Sequence, residues 1–301
     1  MVAAVRRNSQ TQRSIQIQSR KTVLMVLSAL SIFTLMATLL FSDAFTQKNA
    51  ITNSKGANTK DNIKLKMTEV SGETILSGLR ATEKRVFCFG DSLTAGTSPP
   101  GHELYPYALN LEDALEFQDA EATKVQFRGF PGWTSSLLRT DAGLDSILTR
   151  AAALRTEEHI DQHDPDLEEE PPPPFDVVII LAGTNDMAHE PDAQVIYDSI
   201  KGIHEMVLAK GCPTIALGIP PSGWQSQSEA AHLLAASVNE KLASWAASNT
   251  SSIFLPFPIE TFDRSTGFWS TDGLHLSKSG YKFVGTSLAP IVAEILWKND
   301  E

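Results

Sequence analysis

Residues 86–96 read Val-Phe-Cys-Phe-Gly-Asp-Ser-Leu-Thr-Ala-Gly. Val86–Phe89 is a short run with no polar side chain, and Gly90, Asp91 and Ser92 follow at once. A short apolar run bounded by turn residues reads as a strand buried on both faces. Similar runs recur at 125–127, 177–181, 214–219 and 253–257. Between them lie helical periods. Ile196, Ile200, Ile203 and Val207 are spaced for one helix face, as are Val238, Leu242 and Trp245, and Leu144, Ile147, Leu148 and Ala151. Strands alternating with helices predict an α/β fold with a five-stranded parallel sheet covered on both faces.

In such sheets ligands bind beyond the carboxyl ends of the strands. Ser92 stands at such an end, where a nucleophile would be useful. Gly-Asp-Ser is also ordinary turn chemistry. The stretch is not a nucleophile elbow, because Thr94 stands where the second Gly of G-x-S-x-G belongs. A serine hydroxyl needs a base, and the base needs a partner that fixes its tautomer. Asp272 and His275, in Asp272-Gly273-Leu274-His275, follow the last run and precede a helix expected from Ser277. Read alone, this pair is equally a polar turn with Ser277 as a helix cap. Acyl transfer also needs donors for an oxyanion. Gly132 after the second run offers a backbone N–H, and Asn185 after the third offers an amide. Four strand ends, in chain order, thus supply a serine, a glycine N–H, an asparagine and an Asp/His pair.

Over residues 84–297 the sequence resembles the SGNH hydrolases, also called GDSL esterases and lipases. Phe89–Gly96 resembles the first block of that family, Gly129–Ser135 the second, Gly183–Asp186 the third and Asp272–His275 the last. The resemblance implies a three-layer α/β/α sandwich of flavodoxin-like type. It implies Ser92 as nucleophile, His275 as base, Asp272 as its partner, and an oxyanion hole of Ser92 N–H, Gly132 N–H and the Asn185 amide. The implied activity is hydrolysis of carboxylic esters, of small acyl groups or of lipid or carbohydrate esters, with no metal or organic cofactor. An acyltransferase uses the same residues, and a non-catalytic membrane-tethered binding module is the remaining alternative. The chain departs from the family at Arg128 and Gly129, where an Asn often stands. Leu93, Trp133, Met187, Trp224 and Trp269 are read either as an acyl pocket or as core, and His102 lies near the site.

The formal charge is −11. Residues 1–21 carry Arg6, Arg7, Arg13, Arg20 and Lys21 and no acid, so taking these five charges from the total leaves −16 on the rest. An acidic body without Lys/Arg clusters argues against nucleic acid as a partner. Residues 22–41 form 20 consecutive positions without a charge, enough to span a hydrocarbon core of about 30 Å. They predict a transmembrane signal anchor, with the basic tail 1–21 cytosolic and the catalytic domain luminal or extracellular. The alternative is secretion after cleavage near Ser42-Asp43-Ala44. Asn249-Thr250-Ser251 is a glycosylation sequon, usable on the luminal side.

Residues 42–82 read as a polar stalk and 83–301 as the hydrolase domain. Within that domain, 157–174 holds eight acids and ends in four prolines, which predicts a solvated insertion. His159 and His163 there have the spacing of metal ligands but lack the Glu of a metalloprotease helix. Cys88 and Cys212 read as two buried thiols or as one disulfide.

Overall fold

A computed structural model of the chain describes residues 83–118, 123–160 and 172–297. These lie within the unit Leu65–Glu301. The segments read as basic tail (1–21), membrane anchor (22–41) and stalk (42–82) lie outside the described residues. Among the described residues no helix is long and apolar enough to cross a membrane.

Five strands form one parallel sheet: β1 (Lys84–Asp91), β2 (Thr123–Phe130), β3 (Val177–Leu181), β4 (Thr214–Leu217) and β5 (Ser252–Leu255). Their spatial order is β2-β1-β3-β4-β5. The central register aligns Cys88 with Phe127 and Ile179, and Ile179 with Ile215. The chain leaves β1 for β2 on one side and then crosses to β3 on the other. That reversal opens a crevice at the carboxyl ends of β1 and β3, the usual ligand position in this topology.

Helices cover both faces. α1 (Ser92–Ala95) is one turn, and α2 (Tyr107–Gln118) follows Pro106. Next come α3 (Ser135–Thr140), α4 (Leu144–Ile160), α5 (Ala193–Leu208), α6 (Glu229–Ala247) and α7 (Lys278–Trp297). The strands alternate their side chains between two cores. Val86 and Cys88 of β1, with Val177, Ile179 and Leu181 of β3, pack against Tyr107, Leu111 and Leu115 of α2 and Tyr281, Leu288 and Val292 of α7. Phe87, Phe89, Val178 and Ile180 face the other way. They meet Leu138 of α3, Leu148 of α4, Ile196, Ile200 and Ile203 of α5, and Val238 and Leu242 of α6. The apolar period read in α5 is the buried stripe of that helix. Three layers result, α/β/α.

Two predicted strands end early. The run 214–219 stops as a strand at Leu217 because Asn239 of α6 takes over the backbone. Its amide accepts from Ile219 N–H at 2.8 Å and donates to Ile219 C=O at 3.1 Å. Pro220 and Pro221 then have no N–H to give. The run 253–257 is the edge strand Ser252–Leu255, and Ile253 is 42% exposed. The acidic insertion also begins later than read, since α4 continues through Glu157–Ile160. Glu is a good helix former, and no proline intervenes before Pro165. Residues 161–171 lie outside the described residues, as do the side chain of His159 and all of His163.

Both cysteines are free and buried. Cys88 belongs to one core and Cys212 to the other, so the sheet separates them. Burial pushes the Cys88 thiol up to about 12 and the Cys212 thiol to about 11. Neither presents a thiolate at neutral pH.

Candidate active site

β1 ends at Asp91, and Ser92 is the first residue of α1. The Asp91 carboxylate caps this turn by accepting from Leu93 N–H at 2.9 Å. Gly96 ends the turn in the left-handed conformation, at φ 81°, and its N–H returns to Ser92 C=O. Both devices satisfy backbone groups that a one-turn helix leaves open. β2 lies directly behind the turn. A Cβ on Gly129 would sit 2.2 Å from Ala95 N, so only glycine allows this approach.

Ser92 is 5% exposed. Its Oγ lies 2.9 Å from His275 Nε2. His275 Nδ1 lies 2.6 Å from Asp272 Oδ2. The other carboxylate oxygen of Asp272, Oδ1, accepts from Leu274 N–H at 2.9 Å and His275 N–H at 3.0 Å. Burial alone would raise the Asp272 carboxyl. The hydrogen bonds from His275 and Leu274 outweigh it and hold the group below the usual carboxylate range. Asp272 is therefore ionised at neutral pH.

The loop carrying this pair is tied down from several sides. Ser270 N–H donates to His275 C=O at 2.8 Å, and Gly273 N–H to Ser270 C=O at 3.1 Å. Gly223 N–H, from the loop after β4, donates to Gly273 C=O at 2.7 Å. Arg264 Nη1 donates to Thr271 C=O at 3.0 Å. Ser277 then caps α7, accepting from Gly280 N–H at 3.2 Å.

Gly132 and Asn185 lie beyond the carboxyl ends of β2 and β3. Gly132 sits in an exposed turn at φ 82°. Asn185 is half-buried, and its Nδ2 donates to Trp133 C=O at 2.9 Å. One amide hydrogen of Asn185 thus fixes the residue beside Gly132, and a second remains to donate elsewhere. Ser92, His275 and Asp272 are joined directly by hydrogen bonds. Asn185 is joined to the turn that carries Gly132.

Of the apolar residues read as pocket or core, Leu93, Met187 and Trp269 are core, each no more than 8% exposed. Trp133 is half-buried and stacks on Phe130 at 4.6 Å. Trp224, next to Gly223, is 44% exposed. His102 is exposed. An open groove of about 590 Å³ runs between α5 and α6, lined by Tyr197, Lys201, Lys241 and Trp245 among others. None of the site residues lines it.

Sequence reasoning assigned no role to Asp91 or Asp186, although both lie inside the quoted motifs. Asp186 accepts from Ser135 N–H at 2.8 Å and from Ser135 Oγ at 2.6 Å. Burial pushes its carboxyl up, and the Ser135 donors pull it back. Asp91 is fully buried, and its Oδ2 has no hydrogen-bond partner among the described residues. Burial pushes its carboxyl from the ordinary 3.8 to about 7, with Asp186 adding to the rise and Leu93 N–H and His275 opposing it.

The folded state holds the Asp91 proton more tightly than the unfolded chain does. Its contribution is fully present below about pH 4 and is lost as pH rises through about 7. Asp91→Asn keeps an acceptor for Leu93 N–H and cannot ionise. Its Tm relative to the native chain should therefore climb as pH rises from about 4 to about 8. A difference independent of pH would show that Asp91 is not held protonated.

A family profile described as GDSL-like lipase/acylhydrolase matches residues 88–283, more than half of the chain. No curated protein sequence matches it. Among solved structures, a candidate arylesterase from Agrobacterium tumefaciens strain C58 is 23% identical, with a TM-score of 0.50, covering 71% of this chain and 100% of that one. The M. smegmatis aryl esterase is 19% identical at a TM-score of 0.49, covering 71% and 100%. The Clostridium thermocellum family 3 carbohydrate esterase is 19% identical at 0.48, covering 72% and 94%. The first of these likenesses supports the fold. Together with the matched blocks around Ser92, Asn185 and His275, the profile places the chain in the GDSL-like lipase/acylhydrolase family, the SGNH hydrolases, and makes it an ester-hydrolysing enzyme.

Proposed function

We propose that the chain is a serine esterase in which Ser92, His275 and Asp272 form the triad. The observation that carries this reading is the unbroken line from Ser92 Oγ through His275 to the ionised Asp272, at 2.9 and 2.6 Å.

Ser92 Oγ attacks the ester carbonyl carbon and gives its proton to His275 Nε2. The C=O electron pair moves onto oxygen. The Ser92 and Gly132 N–H groups and the free hydrogen of the Asn185 amide stabilise that charge. Asp272 stabilises the imidazolium and keeps the Nδ1 proton in place. Collapse of the intermediate breaks the bond to the alkoxy group, which leaves with the His275 proton. Water, losing a proton to His275, then attacks the acyl-serine. The acid departs, and Ser92 regains its proton.

The substrates are carboxylic esters of small acyl groups, or of lipids or carbohydrates. Half-buried Trp133, beside Gly132, and exposed Trp224, beside Gly223, supply indole surface that suits a sugar ring or an acyl chain. The test is release of acid from p-nitrophenyl acetate by the full chain, repeated with an acceptor alcohol present. Free acetate at the same rate in both supports a hydrolase. Acyl product formed only on the acceptor would overturn that reading in favour of a transferase.

Residues 22–41 carry the proposal that the enzyme is held in a membrane with its catalytic domain luminal or extracellular. Full-length chain should stay with membranes through alkaline carbonate extraction. Quantitative release would contradict the anchor.

A further inference from the structure

The loops after β2 and β3 are joined by three hydrogen bonds in a span of three residues on one side and two on the other. Asn185 Nδ2 holds Trp133 C=O. Asp186 holds both the N–H and the hydroxyl of Ser135. The turn containing Gly132 lies immediately before these two anchor points. Gly132 itself has open space around it, with no atom within 4 Å of where a Cβ would lie. Its turn is closed by Trp133 N–H donating to Phe130 C=O at 3.1 Å, so the orientation of the Gly132 peptide depends on how Trp133 and the residues after it are tied.

Asp186 is 5% exposed and Ser135 is fully buried. A buried carboxylate is worth most where it receives donors from the backbone. Here the N–H it receives is the first of α3, whose cap residue Thr134 directly precedes it. Ser135 and Asp186 lie 51 residues apart in sequence. Among the described residues, the side-chain hydrogen bonds of Ser92, His275 and Asp272 run within the triad and to its own loop, and the Asp186 bonds run to Ser135. Their bond therefore serves the relation between the second and third blocks, not the triad.

We propose that Asp186 is a positioning residue that, through Ser135, holds the Gly132 turn with its N–H directed at the developing oxyanion. This rests on the reading of Gly132 as an oxyanion donor. Asn185 acts on the same turn from its other amide hydrogen, so adjacent residues set both donors in register. Preorganised donors of this kind require no reorganisation as charge develops.

The test compares Asp186→Ala, Asp186→Asn and Ser135→Ala with the native full chain. Loss of one oxyanion donor lowers kcat by about 10²–10³-fold, and Asp186→Ala is expected to reach about 10²-fold. KM should change little, because the donor acts on the transition state. An alkylboronic acid that forms a tetrahedral adduct on Ser92 should lose affinity in step with kcat across the three variants. Ser135→Ala, which keeps the backbone N–H, should show a smaller fall in kcat at unchanged KM. Normal kcat in a folded Asp186→Ala overturns the proposal. Should that variant fail to fold, normal kcat and normal boronate affinity in Ser135→Ala and Asp186→Asn overturn it equally. A fall that appears in KM alone also contradicts it. Ser92→Ala is measured alongside. If it kept native activity, the triad reading itself would fail, whereas an inactive Ser92→Ala beside a fully active Asp186→Ala rejects only the positioning role.

Discussion

Ser92→Ala is expected to lower kcat for ester hydrolysis by at least about 10⁴-fold, as removal of a triad nucleophile does. The substitution deletes one oxygen and leaves the scaffold around it. Asp91 still caps the turn through Leu93 N–H, and Gly96 N–H still returns to the carbonyl of residue 92. Among the described residues, the side-chain bond lost is the one to His275 Nε2 at 2.9 Å. Stability should then change by about 1 kcal/mol or less, the net worth of one such bond. Initial rates and a thermal melt of both proteins check the two halves. A large fall in Tm alongside the fall in rate would mean that Ser92 also supports the fold.

The second large effect is expected at Asp272. Asp272→Asn should lower kcat by about 10⁴-fold, although it is the smallest possible change. The geometry decides why. Oδ1 accepts from two backbone N–H groups, those of Leu274 and His275. In the variant these donors hold the amide oxygen, and the NH₂ group is turned toward His275 Nδ1. A donor facing Nδ1 forces the imidazole proton onto Nε2, and Nε2 can then no longer accept the proton of Ser92. Asp272→Ala leaves Nδ1 open to water, so the smaller side chain should be no more harmful than Asn. Steady-state kinetics of both variants tests this. An Asn variant that retains most of the native rate would show that Asp272 does not set the tautomer.

Much of this arrangement is legible in the sequence because it is local. β1 and β3 are apolar on both faces and read as continuous runs; their side chains alternate between the two cores. α5 shows its buried stripe at helical spacing. Ser92, Asp272 and His275 sit in short motifs, and the fold brings together residues 183 positions apart. Other features depend on partners that no local pattern reveals. The early end of β4 follows from Asn239, which lies on α6, 20 residues beyond the Ile219 backbone that it holds. The bond of Asp186 to Ser135 depends on how the second and third blocks meet in space. The high proton affinity of Asp91 comes from complete burial beneath the sheet's end, whereas sequence alone shows an ordinary turn aspartate. The apolar residues near the site divide for the same reason. Leu93, Met187 and Trp269 point into the core, and only the fold shows that Trp224 is left outside.

The activated serine is tested most directly by a fluorophosphonate. The full-length chain and its Ser92→Ala variant are treated with the reagent, and the adduct is mapped by mass spectrometry. The triad predicts a single stoichiometric adduct on Ser92 in the native chain and none in the variant. An adduct on a different serine, or no adduct on a chain whose thermal melt shows it folded, would contradict it.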